Sequence, residues 1–314
     1  MRGMKHAAFR IMGTLFGFAL LAVAIGVLGH ELRKYGLHDI AASLAAIPAP
    51  RIAIAVLFAA CCYGALTCYD LLALRYLGNS LPYRRVALAS FVGYAFAHNV
   101  GLSLITGTPV KFRVYSSWGL KILDVVKIAA FCGATFWIGF VMLAGLALVL
   151  EPSRIPELMK MPEADARLIG ILFLGIVAAY LIMGFRRTEI RVGRHRFDFP
   201  RARFAAGQVV AGSCEWIFAS AVLYTLFMPQ LPISYPAFLG LFLFAYLSGF
   251  VSQVPGGLGV FETVIVVSLE GIAPVPQIMA ALIAYRAVYY IGPLLIATAL
   301  LVAHEVHRKG REKR

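Results

Sequence analysis

Ser248–Val267 reads SGFVSQVPGGLGVFETVIVV. It lies in an apolar region, yet it stops for Pro255, Gly256, Gly257 and Gly259 and then places a glutamate, Glu262. Proline cannot continue a helical hydrogen-bond ladder, and glycine permits tight turns and close packing. Backbone that leaves the helix inside a bilayer exposes unpaired N–H and C=O groups, so it persists only where protein or a watery cavity covers it. The stretch therefore reads as the tip of a re-entrant hairpin lining a cavity. The plainer alternative is a kinked full-length helix followed by an external loop.

The surroundings decide which solvent applies. The chain has 314 residues, of which 61% are hydrophobic and 14% charged. A water-soluble domain of that size needs more polar surface, so the sequence predicts a polytopic membrane protein. Apolar runs fall at 9–29, 52–74, 86–106, 128–150, 168–185, 204–228, 236–252, 259–269 and 278–303. The 259–269 piece is too short to span, since a crossing takes about 20 residues. The 9–29 run is too long for the core of a signal peptide and reads as an uncleaved first helix.

The net charge of +14 would suggest nucleic acid in a soluble protein. Here Lys and Arg cluster in short loops, which points to membrane orientation and anionic lipid instead, so no nucleic-acid partner is expected. If every run crossed the bilayer with the N-terminus inside, 9 basic residues would face inward and 19 outward. If 86–120 dips in and returns to the inside, and 236–269 dips in and returns to the outside, the split becomes 22 inside and 6 outside. This arrangement has six full spans, two re-entrant hairpins and cytoplasmic termini. It also divides the chain into two halves of inverted topology, 1–157 and 158–314, a plan shared by many secondary transporters. A faint echo, Gly107-Thr108-Pro109-Val110 against Gly257-Leu258-Gly259-Val260, marks the two expected hairpin tips.

Ionisable groups within the bilayer are costly unless paired or hydrated, so each is a candidate functional residue. Glu215 lies mid-run and Arg286 lies within the last run. Glu262 follows the second tip, Lys111 and Arg113 follow the first, and Asp70 sits near Arg75 at a helix end. Lys111, Arg113 and Arg286 suit a phosphate, while Glu215, Glu262 and Asp70 suit an amine. The plainer readings are that Glu215 or Glu262 merely pairs with Arg286, and that Asp70 sits at the interface beside Arg75. His98 and Asn99 read as ties between hairpin arms. Tyr and Trp near helix ends read as interface anchors. The five cysteines lie in apolar runs without C-x-x-C spacing and read as small buried residues. No metal or cofactor is predicted, and no nucleophile elbow or P-loop occurs to suggest an enzyme.

CYDLLALRYLG, SFVGYAFAHNVG, TGTPVKFRVYSSWGL, VPGGLGVFE and AYRAVYYIGPLL together resemble the flippase-type membrane domain of lysylphosphatidylglycerol synthase, the multiple peptide resistance factor. The resemblance covers roughly residues 10–303. It implies an all-α flippase that moves aminoacylated phosphatidylglycerol, or a related phospholipid, between leaflets of a bacterial inner membrane. It does not carry over the synthase activity. The family usually has a glycine pair before its first basic run and Arg where this chain has Lys111. In that reading Arg113 and Lys111 receive the phosphate, Glu262 and Glu215 balance a cationic headgroup, and Arg286 holds those carboxylates or the phosphate. A second copy or a lipid synthase would be its protein partner. The rival readings are a small-solute or ion transporter of the same fold, a non-transporting partner of a lipid enzyme, and an intramembrane enzyme.

Overall fold

The computed structural model describes residues 37–100, 103–151, 162–186, 189–192, 195–227, 231–252 and 257–312. The first apolar run, at 9–29, lies outside the described residues, as do the tip residues Pro255 and Gly256. The elements are α1 (Leu37–Ala45), α2 (Ala49–Tyr76), α3 (Tyr83–Val100), α4 (Ser103–Ser116), α5 (Ile122–Leu150) and α6 (Glu163–Phe185). Then come β1 (Glu189–Val192), β2 (His195–Asp198), α7 (Ala202–Leu226), α8 (Tyr235–Val251), α9 (Val260–Leu269), α10 (Val275–Tyr285), a π-helical segment (Arg286–Ile291) and α11 (Gly292–Glu312).

Five stretches among the described residues are long and apolar enough to cross a membrane: α2, α5, α6, α7 and Val275–Val306. Prolines help start several of them. Pro48, Pro162 and Pro274 stand at the N-caps of α2, α6 and α10, where a missing N–H costs nothing because first-turn donors have no helical partner. Leu168, Ile171, Leu172 and Ile176 of α6 are exposed, as are Leu123 and Val126 of α5 and Leu295 and Ile296 of α11. Lipid solvates such surfaces; water would not.

The short helices form two pairs. α3 packs along α4, and α8 packs along α9. In the second pair the break falls where the sequence places it. Gly257 has φ +62° and Gly259 has φ +82°, conformations that L-residues with side chains rarely adopt, and α9 starts at Val260. The first pair needs a correction. Gly107 and Pro109 are not at a tip but inside α4; α3 ends at Val100 and α4 begins at Ser103, and residues 101–102 lie outside the described residues. The reason is that a proline's locked φ fits a helix; Pro109 forfeits one backbone bond, which a short packed arm tolerates.

An all-α description also misses the 186–203 connection. There β1 and β2 pair antiparallel, with Ile190 opposite Phe197 and Val192 opposite His195. Its seven basic residues dominate the reading of this loop as a topology signal. The underlying β-branched Ile190 and Val192, joined to β2 by two residues including Gly193, have hairpin spacing.

Two apolar cores result. One gathers α7, α8, α9 and α10 with Phe140 and Leu143 of α5. The other gathers α3, α4, the second half of α2 and the first half of α5. α7 is the central post: its contact with α2 is the most extensive in the fold, and α5 crosses it closely. That crossing depends on two glycines. A Cβ added to Gly212 would lie 2.9 Å from Gly139 Cα, so only glycine lets the two backbones approach, as small residues do in membrane bundles. Gly212→Val is therefore expected to cost at least the ~1–3 kcal/mol typical of overpacking, because the obstacle is backbone. A lowered thermal midpoint in detergent would register it. Gly64→Ala, where a Cβ meets nothing within 4 Å, should leave the midpoint at or above that of the wild type.

Candidate functional site

A cavity of about 200 Å³ lies where the two cores meet, bordered by both helical pairs. The Gly139–Gly212 crossing positions much of its wall. One turn before Gly139 comes Phe136, and one turn after Gly212 come Glu215 and Trp216. The indole of Trp216 donates to the Phe136 carbonyl at 3.1 Å, which locks its ring against α5. Its ring meets Phe136 at a centroid distance of 4.7 Å and Tyr246 of α8 at 4.6 Å. Opposite, Tyr289 stacks on Tyr285 at 5.2 Å and on His98 of α3 at 5.5 Å. The cavity is thus walled chiefly by aromatic rings.

The π-helical segment explains how so many rings reach one place. Pro293 cannot donate to the Tyr289 carbonyl, and its ring crowds that oxygen. The helix widens just before it: the Gly292 N–H reaches back five residues to the Ala287 carbonyl. The carbonyls this loosens find side-chain donors. Tyr63 Oη donates to Tyr289 O at 3.3 Å, and Asn99 Nδ2 donates to Tyr290 O at 3.3 Å. Asn99 therefore ties the first helical pair to this last helix, not to its own partner arm. Tyr285, Tyr289 and Tyr290 all line the cavity as a result.

Five charged groups stand at or beside the cavity, and four of them are matched in two pairs. Glu262, eight per cent exposed, accepts from Gly259 N at 2.8 Å and from Arg286 Nε at 2.7 Å. The carboxylate after the break thus caps the start of α9 and clamps the tip to the last span. Arg286 also lies over the Tyr290 ring, 4.5 Å from its centroid. Lys111 lines the cavity, but its Nζ is 2.8 Å from Asp70 Oδ2 and 3.6 Å from the centre of the Tyr94 ring. Asp70 is fully buried, not at the interface beside Arg75, and also accepts from Ser90 at 2.9 Å and Tyr115 at 3.1 Å. Gly93 makes room for the lysine stem: a Cβ there would come 2.7 Å from Lys111 Cε.

Glu215 is the exception. Its side chain lines the cavity in a residue two per cent exposed. It accepts one hydrogen bond, from the neutral Tyr69 hydroxyl at 2.8 Å, and no cation lies within ion-pair distance among the described residues. Two more polar atoms on the wall, His98 Nδ1 and the Tyr94 hydroxyl, have no hydrogen-bond partner there. The cavity therefore offers one uncompensated carboxylate and two open polar atoms inside an aromatic shell, which is how proteins hold ammonium groups.

The structure does not bring Arg113 to this cavity. Residues two apart on a helix point in different directions, so Arg113 turns from Lys111 and pairs with Glu305 of α11 at 2.8 Å. The aromatic wall was the larger omission from the sequence reading, which took such rings as interface anchors; the run AYRAVYYIGPLL held its densest signal. Cys62 and Cys132 are buried as expected, but Cys61 and Cys214 are half-buried and Cys68 is exposed. No group of three or more His, Cys, Asp or Glu suited to a metal occurs among the described residues.

The rim matters as much as the wall. Trp137 and Phe250 line the cavity, are 36% and 47% exposed, and meet edge-to-face at 5.0 Å. Trp137 is near the midpoint of α5, so this rim lies halfway along a helix long and apolar enough to cross a membrane.

Fold and site together define a polytopic membrane protein with an aromatic, carboxylate-bearing cavity at mid-helix depth. The description "Lysylphosphatidylglycerol synthase TM region" matches residues 14–297, and the chain belongs to that family. Its relatives include the uncharacterized Synechocystis protein slr0712, 35% identical over 97% of this chain and 95% of that one. Inner membrane protein YbhN of Escherichia coli is 33% identical over 73% of this chain and 72% of its own length. A phosphatidylglycerol lysyltransferase of Staphylococcus haemolyticus is 26% identical over 95% of this chain, which spans 34% of that protein.

Proposed function

We propose that this protein is a phospholipid translocator rather than a catalyst, carrying an amine-bearing headgroup between leaflets of a bacterial inner membrane. Aminoacylated phosphatidylglycerol is the substrate class. One observation carries the reading: Glu215 stands uncompensated in an aromatic cavity whose rim opens toward lipid. A headgroup entering past Trp137 and Phe250 would leave its acyl chains in the bilayer and set its ammonium against Glu215. Lys111, held by Asp70, borders the same cavity and could share its donors with the lipid phosphate.

The proposed topology has six spans, with α3–α4 and α8–α9 as re-entrant hairpins dipping from opposite faces and both termini in the cytoplasm. It is supported by the 22-to-6 charge asymmetry and by the element order, in which each short pair stands between long apolar helices. The halves 1–157 and 158–314 are then inverted repeats. The names of two relatives suit this reading: YbhN is an inner membrane protein, and the staphylococcal relative is named for lysyl transfer to phosphatidylglycerol. Membrane lipid is the immediate partner, and a lipid-modifying enzyme would be its natural supplier.

The test is reconstitution with lysylphosphatidylglycerol in the inner leaflet and an impermeant amine reagent outside. Wild-type protein is expected to expose the lipid, Glu215→Asp to expose it more slowly, and Glu215→Gln to match protein-free vesicles. Wild-type vesicles that expose no lipid would overturn the reading, and so would a Glu215→Gln variant working at the wild-type rate.

A further inference from the structure

We infer that Glu215 trades a proton for the substrate's ammonium, so that translocation is a one-for-one proton exchange. The inference rests on the translocator reading and adds to it a coupling ion. Its basis is the charge inventory of the cavity. Asp70 already neutralises Lys111, and Glu262 already pairs with Arg286. Glu215 has a phenol for its hydrogen-bond partner. The titratable groups around it are neutral ones: Cys62, Tyr63 and Tyr69 from α2, Tyr246 from α8 and Tyr289 from the π segment. Cys132 of α5, and His98 and Tyr94 of α3, line the same cavity. α6 meets α7 through Tyr180 and Gln208, two turns from Glu215.

A buried carboxylate with no counter-charge takes a proton rather than remain ionised. The empty cavity thus holds Glu215 as the acid, with Tyr69 donating to it. When an ammonium enters, the acid O–H bond breaks, the proton leaves to water and the carboxylate pairs with the cation. The reactants are one neutral carboxylic acid and one alkylammonium ion; the products are one carboxylate–ammonium pair and one proton. One positive charge enters and one leaves, so atoms and charge balance with no further reactant.

The coupling follows from which states are cheap. With acid or with ammonium bound, the Glu215 site carries the same net charge. Without either it is a bare carboxylate in an aromatic shell, which costs several kcal/mol. The reorientation that exposes the cavity to the other leaflet is therefore open to two states, loaded and protonated. A carrier restricted to those two states moves one cationic headgroup one way for each proton moved the other way.

The experiment centres on the wild-type protein. In infrared difference spectra of protein in nanodiscs, adding lysylphosphatidylglycerol should bleach a protonated-carboxyl band while unmodified phosphatidylglycerol should not. A pH dye in weak buffer should record one proton released per lipid bound. In sealed vesicles, the lipid should gather in the leaflet facing the more acidic side. The expected steady-state ratio changes about tenfold per pH unit, since one unit is about 1.36 kcal/mol. Glu215→Gln should lack the band, and Tyr69→Phe should keep it at a shifted frequency. Wild-type vesicles that move the lipid but distribute it evenly against a gradient, with no band lost on binding, would overturn the exchange and leave the translocator standing. Wild-type vesicles that move no lipid would overturn both.

Discussion

Arg286→Met is expected to destabilise the protein by about 3–5 kcal/mol, the usual cost of stranding one partner of a buried ion pair. The stranded group is Glu262, buried and left, among the described residues, with the Gly259 N–H to share its charge. The effect should reach the tip of the second helical pair first. Gly257 and Gly259 hold positive-φ backbone there that residues with side chains rarely adopt, and Glu262 is the side chain that stitches this turn to the last span. The double variant Arg286→Met with Glu262→Gln should recover most of the loss. Glutamine keeps an oxygen for Gly259 and carries no charge to strand, and removing both members of a buried pair is often neutral. Thermal midpoints in detergent for the two single variants and the double would give the coupling. If Arg286→Met melts with the wild type, the pair does not hold the tip.

Gly133→Phe is expected to abolish transport while leaving the fold intact. Gly133 lines the cavity from α5, and a Cβ added there meets nothing within 4 Å. A phenyl ring would grow into the cavity that we propose receives the headgroup. Replacing glycine within a helix also removes a penalty of roughly 0.5–1 kcal/mol, so the thermal midpoint should hold or rise. Gly175→Phe is the matched control: it sits on the lipid-exposed face of α6, also has open space, and is not on the cavity. Outer-leaflet labelling should fall to the protein-free level for Gly133→Phe and stay at the wild-type level for Gly175→Phe. Full transport by a stable Gly133→Phe protein would mean the lipid travels by another route.

The contrast between the two breaks shows where reading a sequence stops. Two adjacent glycines and a third two residues on, behind a proline, mark a turn that no helix absorbs, and the positive φ of Gly257 and Gly259 follows. A single glycine and a proline at 107 and 109 look similar on paper, yet α4 runs straight through them. Local propensity is a weak signal there, and packing of the arm against α3 outweighs one lost backbone bond.

The charged residues divide in the same way. That Glu215, Glu262, Arg286, Lys111 and Asp70 are candidates was legible, because an ionisable group in an apolar run is conspicuous wherever it falls. Which charge meets which was not. Glu262 and Arg286 are 24 residues apart, Asp70 and Lys111 are 41 apart, and Arg113 finds a carboxylate 192 residues away. The aromatic wall was hidden for a related reason: a tyrosine at a membrane interface and a tyrosine on a cavity wall are the same letter.

By itself, then, the sequence determined the solvent, the positions of the described apolar spans though not their full length, and the second break. These depend on composition and on backbone chemistry within a few residues. Only the tertiary structure decided that four of the charges at the cavity are compensated in two pairs and that one, Glu215, faces open space. Compensation is a matter of ångströms between distant helices, which local sequence does not encode; the cavity wall likewise depends on two glycines where α5 crosses α7 and on the widened last helix.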